Sequence, residues 1–181
     1  PSILTIEQYE MTINTGSADF VFNGENQSYT EYQILNSTSS FLSQNNLFVE
    51  VIDQTVTKVR DFTNEAVDNE FEVKIYNLNS EDKTNNFDIS YNYGKLTVDK
   101  YDITISTGSK TFNYDGESHS YEEFSVSEAT KKFLDKYDII LSVNSETTPS
   151  VKELSDGKIE NRLTVEAFLI DGTPVSDNFN I

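Results

Sequence analysis

The sequence has no cysteine and no tryptophan, and only one histidine, one methionine and three prolines among its 181 residues. Without cysteine there can be no disulfide, no zinc–thiolate centre and no thiol nucleophile. A chain that folds without oxidative help suits export from a bacterium. Without tryptophan, the strongest platform for stacking on a sugar ring is missing. Positive charge is also scarce: 13 Lys and Arg face 31 Asp and Glu, a net charge of -18. A field of that sign repels phosphate backbones and anionic lipid, which argues against nucleic-acid and membrane-surface binding. No apolar run is long enough to cross a bilayer, so no membrane insertion is expected.

Aromatic residues, by contrast, are plentiful. Ten Tyr and 12 Phe make up 12% of the chain, and side chains of that size bury enough area to build a core despite a mean hydropathy of -0.50. The dominant feature is an internal repeat. Residues 4–25, LTIEQYEMTINTGSADFVFNGE, align without a gap on residues 96–117, LTVDKYDITISTGSKTFNYDGE, at an offset of 92. Gly16 falls on Gly108, Phe20 on Phe112, Gly24 on Gly116 and Tyr29 on Tyr121. A fixed period implies two copies of one structural unit. The expected division is a terminal strand within residues 1–8 left from a preceding repeat, a first β repeat over 9–98, and a second over 99–181 that lacks its closing strand. Pro1 begins in mid-pattern, as in a segment of a longer protein.

Residues 9–15 alternate, with Tyr9, Met11 and Ile13 on one face and Glu10, Thr12 and Asn14 on the other, the pattern of a half-buried strand. Asn23-Gly24 and Asp115-Gly116 meet the positive-φ demand of tight turns. Further strands are expected at Phe20 and Phe22, over 29–35, 47–52, 70–78 and 86–91, over 101–107, 138–143 and 162–170 in the second copy, and from Gly94 through Leu96 and Val98. The stretch 127–136, SEATKKFLDK, reads as a short helix capped by Ser127, whereas 36–46 is Ser/Thr/Asn-rich and supports a turn or two at most. The sum is a mainly β protein of two tandem, similar domains. An Ig-like sandwich is the expected architecture, with a β-grasp-like unit carrying one short helix as the alternative. No linker separates the copies, which predicts a stiff, elongated pair.

The run STGSKTFNYDG, with its partner NTGSADFVFNG, resembles the YDG or MBG repeats of bacterial cell-surface proteins. The hook over 110–116, the strands over 85–89 and 177–181, and the YGKLTV run over 93–98 carry the likeness; Phe22-Asn23 and Asp19 depart from it. The resemblance implies β modules strung in tandem in secreted, wall-associated proteins or adhesins, acting as stalks, with neighbouring repeats as partners and no catalytic residues to carry over.

Five patterns remain as candidates for chemistry. His119 is the one residue a Ser-His-Asp triad could use, and it stands where the first copy has Gln27. Glu25 with Glu117, and Glu31 with Glu123, recur in both copies, as strand-edge or turn residues do. Asn77, Asn79, Glu81 and Asp82 alternate oxygen side chains, vaguely like a Ca2+ loop, but the required glycine and the distal bidentate glutamate are missing. Lysines and asparagines for an internal isopeptide cross-link are present, but spacing alone does not place the buried triad. Asn26 and Asn36 head glycosylation sequons that composition explains. No catalytic, cofactor-binding or metal-binding residue is therefore assigned. The expected role is a non-catalytic spacer of a cell-wall-associated surface protein, with a glycan- or protein-binding module as the alternative. The cut ends predict one further property. The second unit should show an unpaired sheet edge, and residues 2–6 of another molecule should pair with it.

Overall fold

The computed structural model describes residues 2–181. The protein is mainly β and built from small sheets. It folds as two compact units, Pro1–Asp99 and Lys100–Ile181.

In the first unit β1 (Tyr9–Thr15) buries Met11 and Ile13 and turns Glu10 outward, as its alternation dictates. The short β2 (Ala18–Val21) and β3 (Tyr32–Gln33) follow, then α1 (Asn36–Gln44), β4 (Leu47–Val51) and β5 (Val67–Asp68). β6 (Val73–Asn77), β7 (Phe87–Asn92) and β8 (Lys95–Asp99) complete it. β1 is central to one sheet, antiparallel to β3 and parallel to β7, with Tyr9 opposite Phe87 and Asn14 opposite Asn92. β4 pairs antiparallel with β6. β8 lies between β2, to which it runs parallel, and β5, to which it runs antiparallel. Met11, Ile13, Leu42, Phe71, Ile75 and Phe87 meet in the core. The Tyr9 ring stacks on Phe41 of α1 with centroids 4.0 Å apart, which fixes the helix against the central pair.

The second unit repeats these contacts at the same offset. β9 (Tyr101–Asp102) pairs in parallel with β16 (Phe179–Asn180), with Tyr101 opposite Phe179. β10 (Ser106–Thr107), β11 (His119–Ser120) and β12 (Phe124–Ser125) precede α2 (Glu128–Lys136). β13 (Ile139–Val143), β14 (Ser150–Val151) and β15 (Val165–Leu169) follow. Tyr101 stacks on Phe133 at 4.1 Å, matching Tyr9 on Phe41.

Four segments differ from the expectation. Both helices are nine residues long, including the Ser/Thr/Asn-rich α1. Tertiary packing of Phe41 and Leu42 overrides weak local propensity there. Both helices end on a residue in the left-handed region, Asn46 and Asp138, each at φ 53°. Of 29–35 only Tyr32–Gln33 is a strand, because the Tyr29 carbonyl accepts from the Asn69 side chain at 2.9 Å rather than from a neighbouring strand. The strand expected over 101–107 is split into β9 and β10. The parallel partner that supports six positions of β1 supports only two of its counterpart. Residues 2–8 form no strand, and Ile3, Leu4 and Ile6 are 88%, 99% and 98% exposed.

The two helices offer a paired test of capping. Ser127 and Leu35 occupy the same N-cap position with the same extended backbone, φ -63° and -61°. Ser127 Oγ accepts from the Thr130 backbone N–H at 3.1 Å, whereas Leu35 provides no side-chain cap and is 64% exposed. Ser127→Ala should destabilise the second unit by about 0.5–2 kcal/mol, and Leu35→Ser should stabilise the first by a similar amount. Urea unfolding monitored by residue-specific NMR reads both.

Candidate interaction groove

The site is best understood from the unit in which it is filled. β8 reads Lys-Leu-Thr-Val-Asp, and its alternation sends Leu96 and Val98 inward, both 0% exposed. Pairing to β2 and β5 satisfies part of its backbone, and side chains satisfy more. Lys95 N–H donates to Ser17 Oγ at 2.8 Å and Val98 N–H to Thr63 Oγ1 at 2.7 Å. The Asp99 carbonyl accepts from Phe22 N–H at 2.8 Å. Just before the strand, Gly94 passes so close to Gly16 that a Cβ would stand 2.3 Å from the Gly16 carbonyl oxygen. Only glycine fits that crossing.

In the second unit the matching positions line an open groove of about 1060 Å³. Ile181 aligns with Ile89, and among the described residues no strand of the second unit stands in the place of β8. The counterparts of β2 and β5, residues 110–113 and 159–160, are accordingly unpaired as strands. Side chains that β8 covers in the first unit are uncovered here. Phe22 is 4% exposed but its counterpart Tyr114 is 76% exposed. Thr15, Phe71 and Asn69 are buried, whereas Thr107 is exposed and Leu163 and Asn161 are half-buried.

One asparagine sets the groove's back wall in both units. Asn69 Nδ2 donates to the carbonyls of Gly16 and Tyr29 at 2.8 and 2.9 Å, and Asn161 Nδ2 to those of Gly108 and Tyr121 at 2.9 Å each. The clamp ties the loop after β1 (β10 in the second unit) to the segment before β6 (β15). Gly16 and Gly108 are needed beside it, since a Cβ would meet the Tyr29 or Tyr121 ring at 2.5 or 2.7 Å.

Within the groove, Lys110 Nζ lies over the Phe112 and Tyr121 rings, 5.4 and 5.2 Å from their centroids. His119 stacks on Phe112 at 4.6 Å, and its Nε2 is 2.8 Å from Asp115 Oδ1. The Asp115 carboxyl is held below its usual range, first by the Glu117 backbone N–H and then by His119. Asp156 is lowered likewise by the backbone N–H groups of Glu153 and Lys152. The lining carries four cationic side chains, Lys110, Lys152, Lys158 and Arg162, against Glu153 and Glu160. Asp115, bonded to His119, and Asp156, bonded to the backbone of Lys152 and Glu153, add two carboxylates at its edge, and Arg162 is paired with Glu160, so the groove is mixed in charge. Such a groove can take an extended strand: apolar rings on its floor, unpaired backbone along its sides and a rim of mixed charge.

The other sequence candidates lie in turns. The backbone N–H groups of Glu25 and Glu117 donate to Asn23 and Asp115, closing the Asn-Gly and Asp-Gly turns. Glu31 and Glu123 supply carbonyls to Gly16 and Gly108, and their own side chains are exposed. Asn77 Oδ1 accepts from the backbone of Asn79 and Glu81, Glu81 pairs with Lys83 and Asp82 with Lys74, so these oxygens serve the turn. Among the described residues no three of His, Cys, Asp and Glu gather as a metal site. His119 is the one sequence candidate that the structure places in the groove. Lys110 entered the sequence reading only as the first residue of the hook, and Asn161 was not singled out, although carrying the offset of 92 on to the pair Asn69 and Asn161 marks the clamp. No family model, curated protein or solved structure matches the chain.

Proposed function

We propose that the chain is a non-catalytic structural module: two successive repeats of a β-rich spacer, of the kind its motifs resemble in wall-associated bacterial surface proteins. The observation that carries this reading is strand hand-over. β8 closes the first unit with Leu96 and Val98 at 0% exposure, and Lys100 alone separates it from β9 of the second. A fold whose last strand is separated by one residue from the first strand of the next suits a tandem array. The duplicated Asn clamp and Tyr–Phe stack support the reading, since recurring contacts of this kind hold a scaffold together. At the level of the unit, the parallel β1–β7 pair with one packed helix favours a β-grasp-like arrangement over an Ig-like sandwich, whose sheets are antiparallel.

A second reading, a glycan- or protein-binding module, is favoured by one feature: Tyr114, 76% exposed beside a groove floored by Phe112 and Tyr121. A glycan array separates the two. The spacer reading expects no saturable binding. Saturable binding that is lost in Tyr114→Ala would replace it with the second.

A further inference from the structure

We propose that β13 is an open sheet edge through which two copies of this chain pair, strand against identical strand, across a twofold axis. β13 reads Ile-Ile-Leu-Ser-Val and has β15 as its one sheet neighbour among the described residues. Its register sets Ile140 opposite Phe168 and Ser142 opposite Glu166. At either end, Ile170 N–H donates to the Asp138 carbonyl and Asn144 N–H to the Thr164 carbonyl. Bonded positions alternate along an antiparallel strand. Residues 138, 140, 142 and 144 therefore turn their backbone toward β15, and Ile139, Leu141 and Val143 aim theirs the other way. No backbone partner meets those three among the described residues. In the first unit Leu47, Val49 and Val51 of β4 form the same bare edge beside β6, so the feature belongs to the repeat.

The two edges differ in one respect, and it decides the occupant. β4 carries the exposed Glu50, and a charge within an edge strand is a common guard against strand addition. Ser142 stands at that position in β13. The five residues of β13 include no charge and no proline, and four are aliphatic. Ile140 is 50% exposed on the outer face, and Leu141 and Val143 are half-buried. The occupant must then be extended, apolar and uncharged. In a chain of net charge -18, β13 of a second copy meets each condition. The antiparallel register that centres on the axis sets Leu141 against Leu141, Ile139 against Val143 and Ile140 against Ser142. Asp138, the nearest acid before the strand, then falls opposite Asn144 rather than another carboxylate. The contact is isologous, so it closes as a dimer. It is also small, so the association is weak, and salt strengthens it by screening the repulsion between acidic copies. The spacer reading makes no use of this edge, so the two can fail independently.

The absence of cysteine gives a direct test. Ile140 and Ser142 of the second copy form a pair that shares no backbone bond, the closer of the two pair types. Full-length Ile140→Cys mixed with full-length Ser142→Cys should form a disulfide-linked heterodimer on mild oxidation. Ile140→Cys mixed with Lys131→Cys, on the exposed face of α2, should not. In sedimentation, wild type should pass from monomer to dimer with rising concentration. Ser142→Lys places a charge on the edge, opposite Glu166 of its own ladder, and should weaken the dimer at least about tenfold while leaving the monomer folded. Leu141→Pro removes the central N–H from the edge and should weaken it at least about 100-fold. Should that variant fail to fold, Ser142→Lys decides alone. A wild-type monomer up to about 1 mM protein in about 0.5 M salt would overturn the proposal. So would a dimer indifferent to Ser142→Lys, or cross-linking to Lys131→Cys as efficient as to Ser142→Cys.

Discussion

Replacing Leu96 by Ala should lower the stability of the first unit by about 2–5 kcal/mol and leave the second unit's own unfolding transition in place. Leu96 is fully buried between β2 and β5, so truncation both returns apolar area to water and leaves a cavity flanked by paired backbone that cannot easily collapse. The same substitution at Leu4, 99% exposed, should change monomer stability by less than about 0.5 kcal/mol. The contrast is informative because the two leucines stand at equivalent repeat positions with nearly identical neighbours in sequence. Denaturant unfolding followed at resonances of each unit measures both. Equal losses at the two positions would mean that β8 is not the closing strand.

Changing Asn69 to Asp should cost about 2–6 kcal/mol at neutral pH, since each carbonyl deprived of its donor costs about 1–3 kcal/mol. The side chain is 0% exposed and gives both amide hydrogens to the carbonyls of Gly16 and Tyr29. A carboxylate of the same shape would set oxygen against oxygen in a fully buried site. The amide orientation follows from this network, because Oδ1 is buried without a hydrogen-bond partner while Nδ2 serves both acceptors. Asn161→Asp should cost clearly less, as the half-buried counterpart can draw water through the groove. A larger loss at 161 than at 69 would contradict the view that the groove is β8's place left uncovered.

The long strands were legible because their alternation is strong and locally enforced. β1, β4 and β6 fall within a few residues of the expected spans. The mainly β class follows from the same alternation. What sequence alone did not give was set by tertiary contact. α1 forms from poor helix formers because Phe41 meets Tyr9. Residues around Tyr29 lose their strand to a side-chain clamp whose two ends are 40 positions apart. The parallel pairing of β1 with β7 joins residues 78 apart, and alternation does not tell a parallel partner from an antiparallel one. The groove was legible only as an expected bare edge. Its charged rim and its Asn161 wall come from residues that look unremarkable in the linear text.

The central claim is that a unit of this fold is completed by one strand of the β8 type, received between its second strand and the segment before the duplicated Asn clamp. The most direct measurement is to extend the chain after Ile181 with residues 90–99, SYNYGKLTVD, in the order the first unit uses them, and to record amide hydrogen exchange. The account predicts that the amides of 110–113 and 159–161 become strongly protected and that the second unit's unfolding midpoint rises. Unchanged exchange at those amides, with the appended residues exchanging as an unstructured tail, would contradict it.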